Sequence, residues 1–417
     1  IPALQNKSTG ENRDGNFPGN PLALYRQTSY NLSDKIYISI PGGIRMNTTM
    51  NMYMPTRLIT GKDCVRDNAD KIKALGDAIL VVTGHSAAKK SGALDDLIAV
   101  LDENEQSYAL YDGIGQNPKL SDCMEAALVA ESLGADAVIG IGGGSPLDAA
   151  KCIAVLAANP GITQEVLYSY HWEHAPLPIG AIGTTAGTGS EVTKVAVITN
   201  LQGFKKSLND DRLFPALSLG DPAYTNTLPE LFTKSTAIDA LAHCTESYFT
   251  RGANEISRSY SIRGIRLLMK TFDKMLQEGF QKINEEDRET LYNASIYGGL
   301  AIHVTGTCMP HAVGYFLSEN HGIPHGTACA QFLPDFLHHN AKEDPGYTEE
   351  FYRRLHTTEE KFITMIEQLT PAYEITLDEE EIRKLHSRWI DNASIKKIRG
   401  EMTADMVDGI LRKKYVK

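Results

Sequence analysis

The chain has 417 residues, 42% hydrophobic and 22% charged, with a formal net charge of −11; that is the balance of a globular protein of two or three domains, with a core large enough to need no staples. An acidic balance without a basic stripe excludes nucleic acid as an expected partner, and no apolar run reaches the length of a membrane span. Six scattered cysteines (Cys64, Cys123, Cys152, Cys244, Cys308 and Cys329) form no C-x-x-C pair and read as free thiols; with no basic-then-apolar leader at the start, the expected setting is the cytoplasm.

Residues 1–45 are rich in Asn, Ser, Gly and Pro and read as an extension, disordered or non-native. From about residue 50, strands and helices alternate. Ala78–Thr83 is a predicted buried strand, Ser91–Leu101 a helix, and Ser107–Tyr111 a strand. Asp122–Leu133 follows as a helix, Ala137–Ile141 as a strand and Pro146–Ala158 as a helix. Such alternation builds βαβ units on a parallel sheet. From about 231 the period becomes helical, over Ile256–Glu278, Glu289–Ala301 and Glu349–Leu369. The expected fold is α/β plus all-α: a dinucleotide-binding parallel-sheet domain over 46–230 and a helical domain over 231–417, with the site in the cleft between them.

Two loops in the first half suit a nucleotide. After the strand DAVIGI comes Gly142-Gly143-Gly144-Ser145-Pro146-Leu147-Asp148. Glycines let backbone N–H groups approach an anion, and the positive end of a helix starting there favours a pyrophosphate. Ser145 is the expected N-cap, Pro146 the first helical residue, and Asp148 the residue that reaches back to the cap. Taken alone, the segment is equally a well-capped tight turn. The second loop, Gly183-Thr184-Thr185-Ala186-Gly187-Thr188-Gly189-Ser190-Glu191, offers hydroxyls and mobile backbone, but by itself reads as a surface loop.

The second half carries metal-ligand chemistry. Asp239 and His243 stand i, i+4 on a helix, so carboxylate and imidazole share a face. A plain Asp–His helix hydrogen bond is the commoner origin of that spacing. His311 and His325 follow, the latter between Pro324 and Gly326 and so on a turn. One aspartate and three histidines would suit iron(II), zinc(II), manganese or nickel.

Together these segments resemble the iron-containing (group III) alcohol dehydrogenases. GGGSPLDAAK, TTAGTGSEVT, DALAH and the pair HAVG and PHG occur in that family's order, with His311 and His325 fourteen positions apart. The resemblance implies a dehydroquinate synthase-like fold and hydride transfer between NAD(P)(H) and a primary alcohol, aldehyde or small diol. It also implies a metal centre of Asp239, His243, His311 and His325, with iron(II) expected and zinc(II) the alternative. The metal would act as a Lewis acid on the substrate oxygen. By the same resemblance Gly143, Gly144, Ser145, Asp148, Thr184, Thr185 and Thr188 line the cofactor, with Asn117 beside it.

The chain departs from the family at two positions. Tyr315 stands where many members carry a further histidine, either to replace it through its hydroxyl or simply to pack. Gly84 stands where many NAD-preferring members carry an aspartate after the first strand. With Ser86, Lys89 and Lys90 close by, NADP(H) is expected over NAD(H). Homo-oligomerisation, as a homodimer, is expected. A glycerol dehydrogenase-like polyol enzyme remains the near alternative, and a dehydroquinate synthase-type lyase the further one. Arg251, Arg258, Arg263, Arg266, Lys270, Lys274, Lys282 and Arg288 read mostly as a solvated helix face, which weighs against the phosphorylated substrate such a lyase needs. A non-catalytic binding protein is disfavoured by the intact ligand set.

Overall fold

The computed structural model describes residues 49–416, so the expectation for residues 1–45 lies outside it. The described residues contain eight strands: β1 (Arg57–Thr60), β2 (Ala78–Gly84), β3 (Ser107–Ile114), β4 (Ala137–Gly142), β5 (Ile179–Gly183), β6 (Val195–Thr199), β7 (Lys205–Asn209) and β8 (Leu217–Gly220). Six form a parallel sheet in the order β1-β8-β5-β4-β2-β3, while β6 and β7 pair as an antiparallel hairpin. The sheet is buried on both faces, which is why β2 and β4 read as continuous apolar runs. In β2, Leu80 and Val82 face a core shared with the helices Leu120–Leu133 and Gly144–Ala158. Ile79 and Val81 face the opposite core, shared with the Ala93–Glu103 helix.

This topology already points to a ligand crevice. From β2 the chain runs outward to β3 and then returns to β4 on β2's other side. The loops leaving the carboxyl ends of β2 and β4 therefore part, and open α/β sheets bind ligands at such a switch point. Thr83 pairs with Ile141, so Gly84 and Gly142 end at nearly the same level.

Beyond residue 230 the described structure is helical. Glu230–Phe249, Glu255–Glu278 and Glu285–Thr305 enclose a large apolar core. Two of these helices open on capping boxes, Asn254 with Ser257 and Asn284 with Asp287. No helix among the described residues is long and apolar enough to cross a membrane.

Several boundaries differ from expectation. The single helix expected over Glu349–Leu369 is two, Pro345–Leu355 and Glu359–Leu369. His356 takes a left-handed φ of 56° between them and Thr358 caps the second. Both helices face the same core, so the apolar period runs through the break. The helix expected from Ser91 starts at Ala93, because Gly92 is left-handed at φ 86°. Short β1, β6, β7 and β8 carry too few residues for a period to stand out. All six cysteines are buried and free.

Candidate metal and cofactor centre

The Glu230–Phe249 helix supplies the floor of the site. Asp239, His243 and Glu246 are spaced i, i+4, i+7, so they share one stripe, and all three are buried. His311 lies in the first turn of Met309–Asn320. His325 is the first residue of the short His325–Ala330 helix, just after the N-capping Pro324. The three Nε2 atoms converge on one carboxylate oxygen, Asp239 Oδ1, at 4.0 Å for His243, 3.4 Å for His311 and 3.9 Å for His325. At 4.0 Å the Asp239–His243 pair is no hydrogen bond, which removes the simple helix-pair account of that spacing. Asp239 Oδ1 and His311 Nε2 are both buried without a hydrogen-bond partner. Orphaned buried polar atoms facing one another are costly unless an ion lies between them, and nitrogen and oxygen donors suit a divalent transition metal.

The far sides of the His311 and His243 rings are held. His311 Nδ1 is hydrogen-bonded to the Glu246 carboxylate, which also accepts the Cys308 backbone N–H. His243 Nδ1 stands 3.3 Å from the Gly187 carbonyl. An Nδ1–H donated outward leaves Nε2 as a free lone pair, the tautomer a metal ligand requires. Burial alone would raise the Asp239 carboxyl, yet His243, His311 and His325 hold it well below the usual carboxylate range. Burial lowers His243 and His325, the latter to about 3 in spite of Asp239. Burial opposes charge on His311 as well, but Cys329, Glu246 and Asp239 outweigh it and raise that imidazole.

The motif glycines set these distances. A Cβ on Gly326 would stand 2.0 Å from the Ser235 carbonyl and 2.6 Å from Asp239 Cβ. One on Gly314 would meet Cys329 Cα at 2.8 Å. Only glycine lets these three helices approach closely enough for His325 to reach Asp239.

The two glycine-rich loops are neighbours. The Thr184 N–H donates to the Gly142 carbonyl at 2.9 Å. A Cβ on Gly143 would stand 3.0 Å from Thr185 Cγ2, and one on Gly144 2.8 Å from Thr188 Cγ2. Gly84 adjoins the same loop, 3.8 Å from Pro146 Cγ by the same measure. Thr184 is buried and Thr185 and Thr188 half-buried, so this is no plain surface loop.

The cap, however, differs from expectation. The helix begins at Gly144, Gly143 is its N-cap, and no side chain caps it. Ser145 lies inside the first turn. Asp148 does not reach back: it accepts from Ser190 Oγ at 2.7 Å and from the Val197 N–H at 2.9 Å. Its carboxylate ties the first loop to the second and to the β6–β7 hairpin, and the first-turn N–H groups are left open to an anion. Ser86 is the N-cap of Ala87–Lys90 without a side-chain cap bond. Asn117, exposed and left-handed at φ 56°, lies just past β3, whose Ile114 pairs with Gly84.

Three residues near the centre were missed. Glu246 was legible as a lone acid three residues after His243 in a run of small and apolar residues. Lys205 was not, because the β6–β7 hairpin was unforeseen. Its ammonium lies 4.4 Å from the Tyr315 ring centroid, and Tyr315 stacks on His325 at 5.3 Å. Cys329 stands one turn after His325, its Sγ 3.8 Å from that ring. The expected solvated basic face is also only partial. Arg258 and Arg288 are buried, Arg258 paired with Glu255 and Arg288 donating to the Thr225 carbonyl.

The family model described as iron-containing alcohol dehydrogenase matches residues 55–222, and that of the C-terminal part of the Fe-containing alcohol dehydrogenase family matches residues 233–414. The chain is 32% identical to alcohol dehydrogenase 4 of Schizosaccharomyces pombe over 292 residues, 70% of this chain and 68% of that protein. It is also 32% identical to the 1,3-propanediol dehydrogenase of Citrobacter freundii over 292 residues, 68% of this chain and 74% of the other. A crystal structure of an iron-containing alcohol dehydrogenase from Thermotoga maritima superposes with a TM-score of 0.80 at 33% identity, covering 88% of this chain and 99% of that one.

Proposed function

The chain belongs to the iron-containing alcohol dehydrogenase family and is a nicotinamide-linked, metal-dependent alcohol oxidoreductase, and from that premise we propose that Asp239, His243, His311 and His325 hold its catalytic ion. The observation that carries this reading is the convergence of three imidazole Nε2 atoms on Asp239 Oδ1 at 3.4–4.0 Å. We take iron(II) as the native ion and zinc(II) as the alternative. When bound there, a divalent ion supplies Lewis acidity to an alcohol or aldehyde oxygen.

The chain's own residues do the rest. Glu246 and the Gly187 carbonyl fix the tautomers of His311 and His243. The open N–H groups at Gly144, with Thr184, Thr185 and Thr188 opposite, would hold the cofactor pyrophosphate and ribose. A bound oxidised nicotinamide would supply the hydride acceptor for alcohol oxidation, the substrate's hydroxyl proton going to solvent. No side chain is assigned as the base.

The substrate class we propose is a small primary alcohol or diol, or the matching aldehyde; the likeness to a 1,3-propanediol dehydrogenase supports the diol. NADP(H) is proposed as the preferred cofactor, in a homodimer working in the cytoplasm. The test reconstitutes the protein anaerobically with iron(II) or zinc(II) and offers ethanol, butanol, 1,3-propanediol and glycerol with each nicotinamide. Alcohol-dependent formation of reduced nicotinamide is expected, strongest with NADP+. No such signal with any pair sinks the reading; a glycerol-only signal makes it a polyol enzyme.

A further inference from the structure

Cys329 has no part in the reaction as described, yet its position relative to the metal donors is definite. It follows His325 by one helical turn, and its Sγ lies 3.8 Å from Nε2 and 3.9 Å from Nδ1 of that ring. One donor atom each from Asp239, His311, His325 and Cys329 all lie within 4.8 Å of one another. The thiol is fully buried. Gly314 backs it closely, since a Cβ there would stand 3.0 Å from Sγ. Independently of the cysteine, Asp239 Oδ1 and His311 Nε2 are buried and unpartnered within the same group.

We propose that Cys329 is a further donor to the metal centre and that its sulfur raises the centre's affinity for zinc(II) relative to iron(II), with iron(II) still the proposed native ion. The proposal rests on the Asp239–His243–His311–His325 reading of the centre. Thiolate sulfur is the softest donor the chain can offer, and borderline-soft zinc and cobalt gain more from it than iron(II) does. Coordination exchanges the S–H bond for a sulfur–metal bond; the proton leaves to solvent and no electrons are transferred. The short helix carries His325 and Cys329 at i and i+4, on one face.

Cobalt(II) is the probe, because sulfur ligation gives a near-ultraviolet charge-transfer band that nitrogen and oxygen donors do not. Metal-depleted wild type, Cys329→Ser, Cys329→Ala and His325→Ala are titrated with cobalt(II), their folding checked by circular dichroism. The proposal expects one cobalt per wild-type chain, with visible ligand-field bands and the near-ultraviolet band together. Cys329→Ser and Cys329→Ala keep the visible bands and lose the other. In competition, the zinc-over-iron preference drops about tenfold or more in both cysteine variants, the scale on which partners of a metal site act. Wild-type visible bands that vanish in His325→Ala, with no near-ultraviolet band, overturn the role of Cys329 and leave the centre standing. Visible bands unaffected by His325→Ala overturn the centre itself, and the thiol's role with it.

Discussion

At the residue scale, the centre depends on atoms that have no other partner. His325→Ala removes one of three converging imidazoles from a helix end without opening the core. Metal content and activity should be lost while the far-ultraviolet spectrum is unchanged; full activity in a metal-free His325→Ala protein would disprove the ligand assignment. Glu246 acts through His311, so it is a positioning residue. Glu246→Gln replaces a charged acceptor by an amide that can turn its NH2 towards the ring. Metal affinity should fall about 10–100-fold, with KM for alcohol little changed once the site is saturated with metal. A fall in KM-type affinity with metal binding intact would place Glu246 on the substrate instead. The D-x-x-x-H spacing was legible in the sequence, because a helix puts i and i+4 on one side whatever surrounds it. Which Asp239 oxygen the rings approach, and that Glu246 turns inward, depends on three helices meeting.

At the element scale, the Gly144–Ala158 helix is held by its charged residues in a way its sequence conceals. Lys151 is fully buried and donates to the Ser190 and Val195 carbonyls and to the Ser190 hydroxyl. Burial lowers its pKa from 10.5 to about 8, against the pull of Asp148 and Glu191. An unfolded lysine keeps its proton up to its ordinary value, so between about 8 and 10.5 the native chain binds fewer protons. Stability contributed by this group therefore rises with pH across that window. Measured against Lys151→Met, the wild type should gain roughly 3 kcal/mol from pH 8 to 10.5, the linkage value of such a shift; a pH-independent difference between the two would refute the buried-ammonium account. The same helix start bears on the cofactor. Gly144→Val would first strike Thr188, at 2.8 Å from the added Cβ, and push the second loop off the first. Affinity for either nicotinamide should fall about tenfold or more, with metal content unchanged; unaltered affinity would mean the loop is only a turn.

At the scale of the whole molecule, the proposed ligands come from one helix and from two consecutive helices that the chain reaches much later. An ion binding the folded chain alone acts as a staple among them. Chelation should lower the melting temperature by roughly 3–5 °C, the span expected of an ion at a hundred to a thousand times its Kd. His325→Ala should melt at one temperature with or without chelator; the same chelator-induced drop in that variant would locate the ion elsewhere. Cofactor choice likewise joins distant segments, since Gly84 at the end of β2 faces the loop after β4. Gly84→Asp should cost NADP(H) about 1–3 kcal/mol relative to NAD(H) through repulsion of the 2′-phosphate. Its Cβ would stand 3.1 Å from the Ile114 carbonyl, so the backbone must give by a few tenths of an ångström. Comparison of kcat/KM for the two cofactors decides it, and a wild type that prefers NAD(H) overturns the proposed preference.

By itself the sequence determined the classes of element and the chemistry they carry. Buried parallel strands need unbroken apolar runs, as in AILVVT and AVIGI, and helices need a repeating face, so both leave a local signature. Motif spacing placed Asp239 beside His243 and the glycines at the end of β4 for the same local reason. Tertiary structure alone decided where side chains with several possible partners would go. Asp148 is three residues from a plausible cap, yet it turns to Ser190 and Val197, because hydrogen bonds across the fold satisfy a half-buried carboxylate and the loop glycines leave the cap vacant. The approach of His325 to Asp239 was equally hidden: it rests on Gly326 lying against the Ser235 carbonyl, a contact between residues ninety-one positions apart that no local pattern encodes.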